Sequence, residues 1–200
     1  MSLKRADPCS RRTRICEPLP NRPATLEQIV AQYISAYRSR AQEALDRIPT
    51  GTPPASAVEI AVWAGKADHQ RRLSPKSLSA FQKILLGKLH IIQNCANFDE
   101  LHRSMEADRV HGVGKLAIYD IALLLGRYWG YLPERVYLHR GTRRGAKALS
   151  PLGVDHRCDS LTVTDFPTSF HALQPYEIED CLCIYEDHIK RIVSHLALSK

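Results

Sequence analysis

The sequence predicts an all-α protein, an orthogonal helical domain that ends in a long C-terminal helix. Apolar residues recur at helical spacing along most of the chain. Ser, Thr and Asn residues stand just before these segments, where helix caps are favoured. No alternation of apolar and polar residues repeats along the chain, as a large sheet would require. We therefore predict one helical domain over 24–200.

The chain begins with a segment that differs from the rest. Residues 1–23 hold four prolines and scattered arginines, with almost no apolar periodicity. Such a composition buries too little apolar surface to fold. We predict a disordered basic arm over 1–23.

The first predicted helices follow the arm. Thr25 with Gln28 three residues later is typical of a capped helix start, and apolar spacing then continues to Ile48. Prolines and glycine over 49–54 end this helix. Ser56 with Glu59 predicts the start of a short apolar helix, which Gly65 ends.

The middle of the chain predicts three further helices. Ser74 and Pro75 are favoured cap and first-turn residues, and a helix runs from there over 75–93. A shorter helix over 98–108 has Asn97 or Asp99 as its cap. After a glycine-containing turn, a helix that is apolar on nearly every side begins at Lys115.

The last third of the chain is less regular. Residues 133–140 and 142–149 predict two short helical pieces joined at Gly141, and residues 160–164 are either a short strand or a loop. The chain then predicts a long helix from Pro175, with acidic residues in its first turn and basic residues in its last turns. The helix dipole favours that order.

Charge and hydropathy limit the classes of partner. The formal net charge is +7, which favours polyanions and nucleic acid first among them. No apolar run reaches the roughly 20 residues that span a bilayer, and the start lacks the apolar region of a secretory signal. We therefore expect a cytoplasmic protein with no membrane partner.

Six cysteines are present, at positions 9, 16, 95, 158, 181 and 183. We expect reduced thiols, because nothing indicates secretion. There is no C-x2-C pair of the kind that binds zinc, and we expect neither a metal nor a cofactor.

The stretch Gly112–Val113–Gly114 followed by Lys115 is the first candidate site. Glycines permit a tight turn and close backbone approach, and the unpaired N–H groups of the following helix can bind a phosphate. Lys115 adds positive charge. The pattern is neither a P-loop nor a dinucleotide fingerprint. The alternative is a turn that only lets two helices pack.

This stretch resembles the helix-hairpin-helix motif, in which an apolar residue, two glycines around a second apolar residue and an alanine recur. Val110, the Gly112–Gly114 segment and Ala117 fill those places, and Phe98–Leu101 resembles the first helix. His111 stands where the motif often has proline. The resemblance implies a grip on the DNA backbone that does not depend on sequence.

A wider resemblance extends to the helix-hairpin-helix DNA glycosylases, whose catalytic loop reads roughly V-D-T-H before a basic helix. This chain has Val136, Tyr137, Leu138 and His139, so that Tyr137 stands in the place of the aspartate. Leu116 stands where lyase-type members have their lysine. The resemblance implies a DNA-binding scaffold that is a non-standard or inactive relative of these enzymes.

A basic segment follows this loop and is the second candidate phosphate site. It contains Arg140, Thr142, Arg143, Arg144 and Lys147, and no acidic residue lies among them. Arginine forks match phosphate oxygens, and a hydroxyl can donate to them. The alternative is a solvated basic face that pairs with the acidic start of the last helix.

Three residues are candidates for chemistry. Asp120 is the one acid in an apolar helix and needs a partner, for which we consider Arg140, Arg143 or Arg144. His139 beside the arginines would stay neutral and could accept a proton. With Tyr137 these residues predict, as one alternative, a divergent base-excision enzyme. Another alternative is a helical module that binds a protein.

Overall fold

The computed structural model describes residues 22–63 and 73–198. This part of the chain forms ten α-helices and one two-stranded sheet, so the predicted all-α class is confirmed. The helices are α1 (Leu26–Ala36), α2 (Arg38–Leu45), α3 (Pro54–Trp63), α4 (Pro75–Gly87), α5 (Leu89–Ile92), α6 (Phe98–Ala107), α7 (Lys115–Trp129), α8 (Arg140–Ala148), α9 (Pro175–Ile184) and α10 (Glu186–Leu198). The strands β1 (Val136–Tyr137) and β2 (Ser160–Leu161) pair antiparallel, with Val136 opposite Leu161.

Some of the predictions fall outside the described residues. They are the disordered state of residues 1–21, the role of Cys9 and Cys16, and the end of a helix at Gly65. In the described part of the chain, no helix is both long and apolar enough to cross a membrane. None of the four cysteines in that part is in a disulfide.

The buried side chains form two separate clusters. The first, here called the central core, takes its residues from positions 48–125 and is built from α3 to α7. The second, here called the terminal core, combines residues 26–37 of α1 and its end with residues 136–193. The two parts of the chain that flank the central core in sequence therefore pack against each other.

An ion pair fixes one edge of the terminal core. The guanidinium of Arg38 donates to both carboxylate oxygens of Glu177, at 2.8 and 2.9 Å, and to the carbonyl of Ala172 at 3.0 Å. Glu177 is almost fully buried. A two-pronged pair of this kind gives a buried carboxylate the partner that it needs.

Two predicted helix caps are present. The Thr25 side chain accepts from the backbone N–H of Gln28, and the Asn97 side chain accepts from the N–H of Glu100. Asn97, rather than Asp99, is therefore the cap of α6. The start of α3 was predicted wrongly, because this helix begins at Pro54, two residues before Ser56.

The structure divides three segments that the sequence predicts as continuous helices. The first breaks at Tyr37, the second at Lys88, and the predicted long C-terminal helix breaks at Tyr185. Tyr37 and Tyr185 are both buried, and their rings meet edge to face with centroids 6.1 Å apart. Two of the breaks therefore coincide with a contact inside the terminal core that local apolar spacing cannot indicate.

The prediction of a helical piece over residues 133–140 is also wrong. Val136 and Leu138 are both buried while Tyr137 between them is half-buried, which is the period-two pattern of a strand. The N–H of Leu138 donates to the carbonyl of Asp159 at 2.8 Å and extends the pairing of β1 with β2. Gly141 does not join two pieces but lies inside α8.

Candidate nucleic-acid interface and the adjacent aromatic cluster

The turn between α6 and α7 presents its backbone at the surface. Gly112 and Gly114 are exposed, whereas Val113 between them is 2% exposed and belongs to the central core. The N–H of Val113 donates to the carbonyl of Val110 at 3.1 Å and closes the turn. Residues 109–114 line an open depression of about 460 Å³. The buried valine anchors the turn, and the glycine backbone on each side faces outward.

Two features of the structure favour glycine at position 112. Its φ is +88°, in the left-handed region that side chains with a Cβ avoid. A Cβ at this position would also lie 2.6 Å from the Oγ of Ser77, in the first turn of α4. The turn is therefore held against the beginning of α4, and this contact has no signal in the local sequence.

The beginning of α7 supplies the hydrogen-bond donors. Gly114 is the cap of this 15-residue helix, and the first bond within it runs from the N–H of Ile118 to the carbonyl of Gly114. The N–H groups at the start of a helix have no acceptor within it and carry the positive end of its dipole. Gly114 and Lys115, the first residues at this helix start, are exposed.

The charges around this turn are mixed. Lys115 is 62% exposed, and its Nζ lies 3.4 Å from a carboxylate oxygen of Glu106 in the last turn of α6. Arg109 and His111 are exposed in the turn itself. Exposed ion pairs contribute little to stability, so Lys115 can turn from Glu106 to another anion at small cost.

The helix α8 separates the residues of the basic segment onto two faces. Arg140, Arg144 and Lys147 are exposed. Thr142 is fully buried, and its hydroxyl donates to a carboxylate oxygen of Glu179 at 2.7 Å. The prediction of Thr142 as a phosphate contact is therefore wrong, because its side chain lies on the face of α8 that packs against α9.

Arg143 is used inside the protein. Its guanidinium donates to the carbonyls of His156 and Cys158 at 2.7 and 3.0 Å, and to the carboxylate of Asp159 at 3.1 Å. These bonds fix the segment between α8 and β2. Three of its donated bonds therefore go to acceptors within the protein, and this geometry does not favour the prediction of Arg143 as a phosphate contact.

Five rings form a cluster between α6, α7 and β1, here called the aromatic cluster. Its members are Phe98, His102, Tyr119, Tyr137 and His139. The shortest centroid separations are 4.5 Å between Tyr119 and His139, and 4.8 Å between His102 and Tyr137. The structure thus brings Tyr137 and His139, two of the residues predicted for chemistry, into one cluster.

Tyr137 is held as a neutral hydrogen-bond donor. Its hydroxyl donates to the carboxylate of Asp99 at 2.5 Å. Burial, followed by the bond to Asp99 and its charge, holds the pKa of the Tyr137 phenol well above its usual value. Sequence reasoning named Asp99 only as a possible cap, since its pairing with a residue 38 positions later has no local signal.

His102 lies within the cluster and was not predicted as a site residue. It is 5% exposed, and in the described part of the chain its Nε2 has no hydrogen-bond partner. Burial is the largest cause and lowers the pKa of His102, and the charge of Lys115 lowers it further. The charges of Glu106 and Asp99 act in the opposite direction. Its imidazole is therefore neutral at physiological pH.

Asp120, the third residue predicted for chemistry, lies beside Tyr119 on α7. It is half-buried, whereas the apolar residues around it in the sequence predict a more buried position. Burial raises the pKa of the Tyr119 phenol, and the charges of Glu179 and then Asp120 raise it further. Acidic residues of α7 and α9 therefore approach the same buried phenol.

No set of three or more His, Cys, Asp or Glu side chains in the described residues has an arrangement that could hold a metal ion. Comparisons of the chain with protein-family models, with curated proteins and with solved structures give no match. The function is therefore inferred from the geometry of the chain itself.

Proposed function

We propose that the protein binds the DNA backbone through a helix-hairpin-helix-like grip, formed by residues 109–114 and the first turn of α7. The observation that carries the proposal is the exposed start of α7 at a turn where Gly112 is held at a φ of +88°. A phosphate placed there meets free N–H groups and the positive end of a helix dipole.

The absence of a side chain at Gly114 supports close approach. A Cβ at Gly114 would meet no atom of the described residues within 4 Å, so the space in front of this backbone is open. Lys115 and Arg109 stand on either side and add charge that a phosphate can use. The net charge of +7 supports a polyanionic partner.

Binding of this kind does not read bases. Backbone N–H groups at a helix start contact phosphate oxygens, which are the same for every sequence. We therefore propose binding that is independent of sequence and that weakens as salt rises. The proposal concerns binding, since Tyr137 and Leu116 supply neither the carboxylate nor the amine of the glycosylases that the chain resembles.

Substitution at Gly114 tests the proposal with a matched pair of variants. Asp and Asn are both favoured helix caps, and the open space at Gly114 accepts either. In Gly114→Asp the carboxylate occupies the helix start and repels a phosphate; Gly114→Asn has the same shape without the charge. We expect Gly114→Asp to weaken binding to a DNA duplex by about tenfold or more relative to Gly114→Asn, equivalent to about 1.4 kcal/mol.

Fluorescence anisotropy with a labelled duplex at low salt measures this difference, and thermal unfolding verifies that both variants are folded. Equal affinity of the two variants would show that the start of α7 does not bind the backbone. Affinity that does not change with salt concentration would contradict backbone binding altogether.

A further inference from the structure

The helix α8 carries a line of exposed cations. Arg140, Arg144 and Lys147 are spaced by four and three residues, so they lie on one face of the helix. We call this face the α8 stripe. At about 1.5 Å per residue, it is about 10 Å long. The stretch over positions 135–147, which contains it, has no acidic residue.

The opposite face of α8 fixes the direction of the stripe. Thr142, Gly145 and Ala146 are buried against the terminal core. A Cβ at Gly145 would lie 2.4 Å from the carbonyl oxygen of Leu182 in α9, so the two helices touch backbone to backbone. Such close packing leaves α8 little freedom to rotate, and the three cations are held outward.

The three cations of the stripe differ in whether an acidic side chain of the protein already pairs with them. The Nε of Arg144 donates to Glu186 at 2.8 Å, and both side chains remain partly exposed. Arg140 and Lys147 are exposed and have no ion-pair partner in the part of the chain that the structure describes. Two cations are therefore ready for an external anion, beside a third that an acid holds in position.

The stripe begins close to the helix that carries the hairpin turn. His139 is the cap of α8, and its ring centroid is 4.5 Å from that of Tyr119. Tyr119 lies about one turn beyond Lys115, the first residue of α7. One turn of α7 and one ring contact thus link the proposed grip to the beginning of the stripe, although the two belong to different cores.

We propose that a single DNA duplex contacts both the hairpin turn and the α8 stripe, so that its phosphates bridge the central and terminal cores. This inference rests on the proposed function and names the second surface that the same ligand uses. Arginine and lysine side chains on an exposed helix face contact phosphates without reading bases, as the hairpin does.

The salt dependence of the affinity measures how many DNA phosphates the protein contacts. Each phosphate neutralised on duplex DNA contributes about 0.9 to the slope of log affinity against log salt concentration. The triple variant Arg140→Gln, Arg144→Gln and Lys147→Gln should therefore reduce the steepness of that slope by about 2 to 3. The control is Arg40→Gln, Lys83→Gln and Lys190→Gln, which removes the same charge from exposed positions on α2, α4 and α10.

The experiment titrates a duplex of about 20 base pairs into each variant at several salt concentrations and includes Gly114→Asp in parallel. A slope reduced by the stripe variant and not by the control, with one duplex bound per protein, supports the proposal. The double variant Arg140→Gln with Lys147→Gln keeps the pair of Arg144 with Glu186. It replaces the triple variant if that variant fails to fold, and it should reduce the steepness of the slope by about 2.

Other results separate this inference from the proposed function. If the stripe and control variants behave alike while Gly114→Asp weakens binding, the stripe is not a contact and the hairpin grip stands. If the stripe variant alone weakens binding, or if two duplexes bind independently, contact of one duplex with both surfaces is overturned. If the wild-type protein binds no DNA duplex and binds only RNA, both proposals fail.

Discussion

Two glycines in one turn have opposite requirements. Gly112 combines a positive φ with a close approach to the Ser77 side chain, which would have to shift to accommodate a Cβ. Gly114 has a φ of −83° and open space in front of it. The sequence motif shows two equivalent glycines, but the structure assigns the conformational constraint to Gly112 and the open surface to Gly114.

Alanine substitution should separate these requirements. Gly112→Ala should lower the free energy of unfolding by about 1–3 kcal/mol, because the left-handed conformation and the contact with Ser77 both oppose a Cβ. Gly114→Ala should change it by less than about 1 kcal/mol, the usual range for a cap position without a side-chain bond. Urea denaturation measures both, and equal losses would contradict the assignment.

His102 should make the protein less stable in acid. Burial lowers the pKa of His102 in the folded state, so the unfolded chain takes up the proton first as the pH falls below about 6.5. Stability contributed by the neutral imidazole is therefore complete above that pH and is lost as the pH falls towards the folded pKa. His102→Phe should reduce the loss of stability between pH 6.5 and about 5.

The comparison uses urea midpoints of the wild type and variant across this pH range. His90 is exposed on α5, and His90→Gln serves as the control that should leave the profile unchanged. If the stability of His102→Phe depends on pH in the same way as that of the wild type, His102 does not contribute to the loss of stability in acid.

The contact of α8 with α9 determines which side chains of the basic segment face outward. Gly145 permits the approach, since a Cβ there would meet the carbonyl oxygen of Leu182 at 2.4 Å. Because the helices touch at this point, Thr142 is directed inward and the α8 stripe outward. A nine-residue helix therefore divides its polar residues between an internal and an external role.

Gly145→Ala should be strongly destabilising. A methyl group at this contact must separate α8 from α9, and overpacking of this kind costs about 1–3 kcal/mol. Gly87→Ala at the end of α4 is the matched control, since a Cβ there meets no atom of the described residues within 4 Å. We expect the control to be neutral or stabilising by up to about 1 kcal/mol in thermal or urea unfolding. Similar behaviour of both variants would contradict the close contact.

Helix starts were more predictable from the sequence than helix breaks. Caps at Thr25 and Asn97 depend on side-chain oxygens and N–H groups three residues away, so their signal is local. The breaks at Tyr37 and Tyr185 coincide with two rings that meet across 148 positions, while the apolar spacing continues through both. Periodicity alone therefore joins helices that tertiary contact divides.

The same distinction applies to the candidate site. The turn over residues 112–115 was located from the sequence because its glycines and the following helix are adjacent. The orientation of Thr142 and Arg143 was not predicted from the sequence, because it depends on which face of α8 meets α9. The bond between Tyr137 and Asp99 likewise joins elements that only the fold brings together.

Across the whole molecule, buried phenols stand beside carboxylates. Tyr33 donates to Asp180 at 3.2 Å, and Tyr137 donates to Asp99 at 2.5 Å. Burial is the largest cause that raises the pKa of each of these phenols, and the neighbouring acids add to it. Burial also raises the pKa of Tyr119, and it raises that of Tyr131 to about 12. The folded protein therefore keeps these phenols neutral when an unfolded chain would ionise.

This predicts a loss of stability in alkali. Above about pH 10 the unfolded chain releases phenolic protons that the folded chain retains, so the free energy of unfolding falls as the pH rises. Each such tyrosine contributes a slope of up to about 1.4 kcal/mol per pH unit. Urea midpoints between pH 9 and about 11.5, read beside tyrosinate absorbance, measure it. Tyr137→Phe should make the slope shallower, and ionisation near pH 10 without loss of stability would contradict the prediction.

The division into two cores has a consequence for how the chain folds during synthesis. The central core has all of its buried residues once position 125 has left the ribosome, so it can form early. The apolar face of α1 has partners in the terminal core, which draws on residues up to 193. Throughout that interval α1 presents Leu26, Ile29 and Tyr33 without the surface that later covers them. The nascent chain thus carries an apolar segment without its partners until residues 136–193 have been added to enclose it.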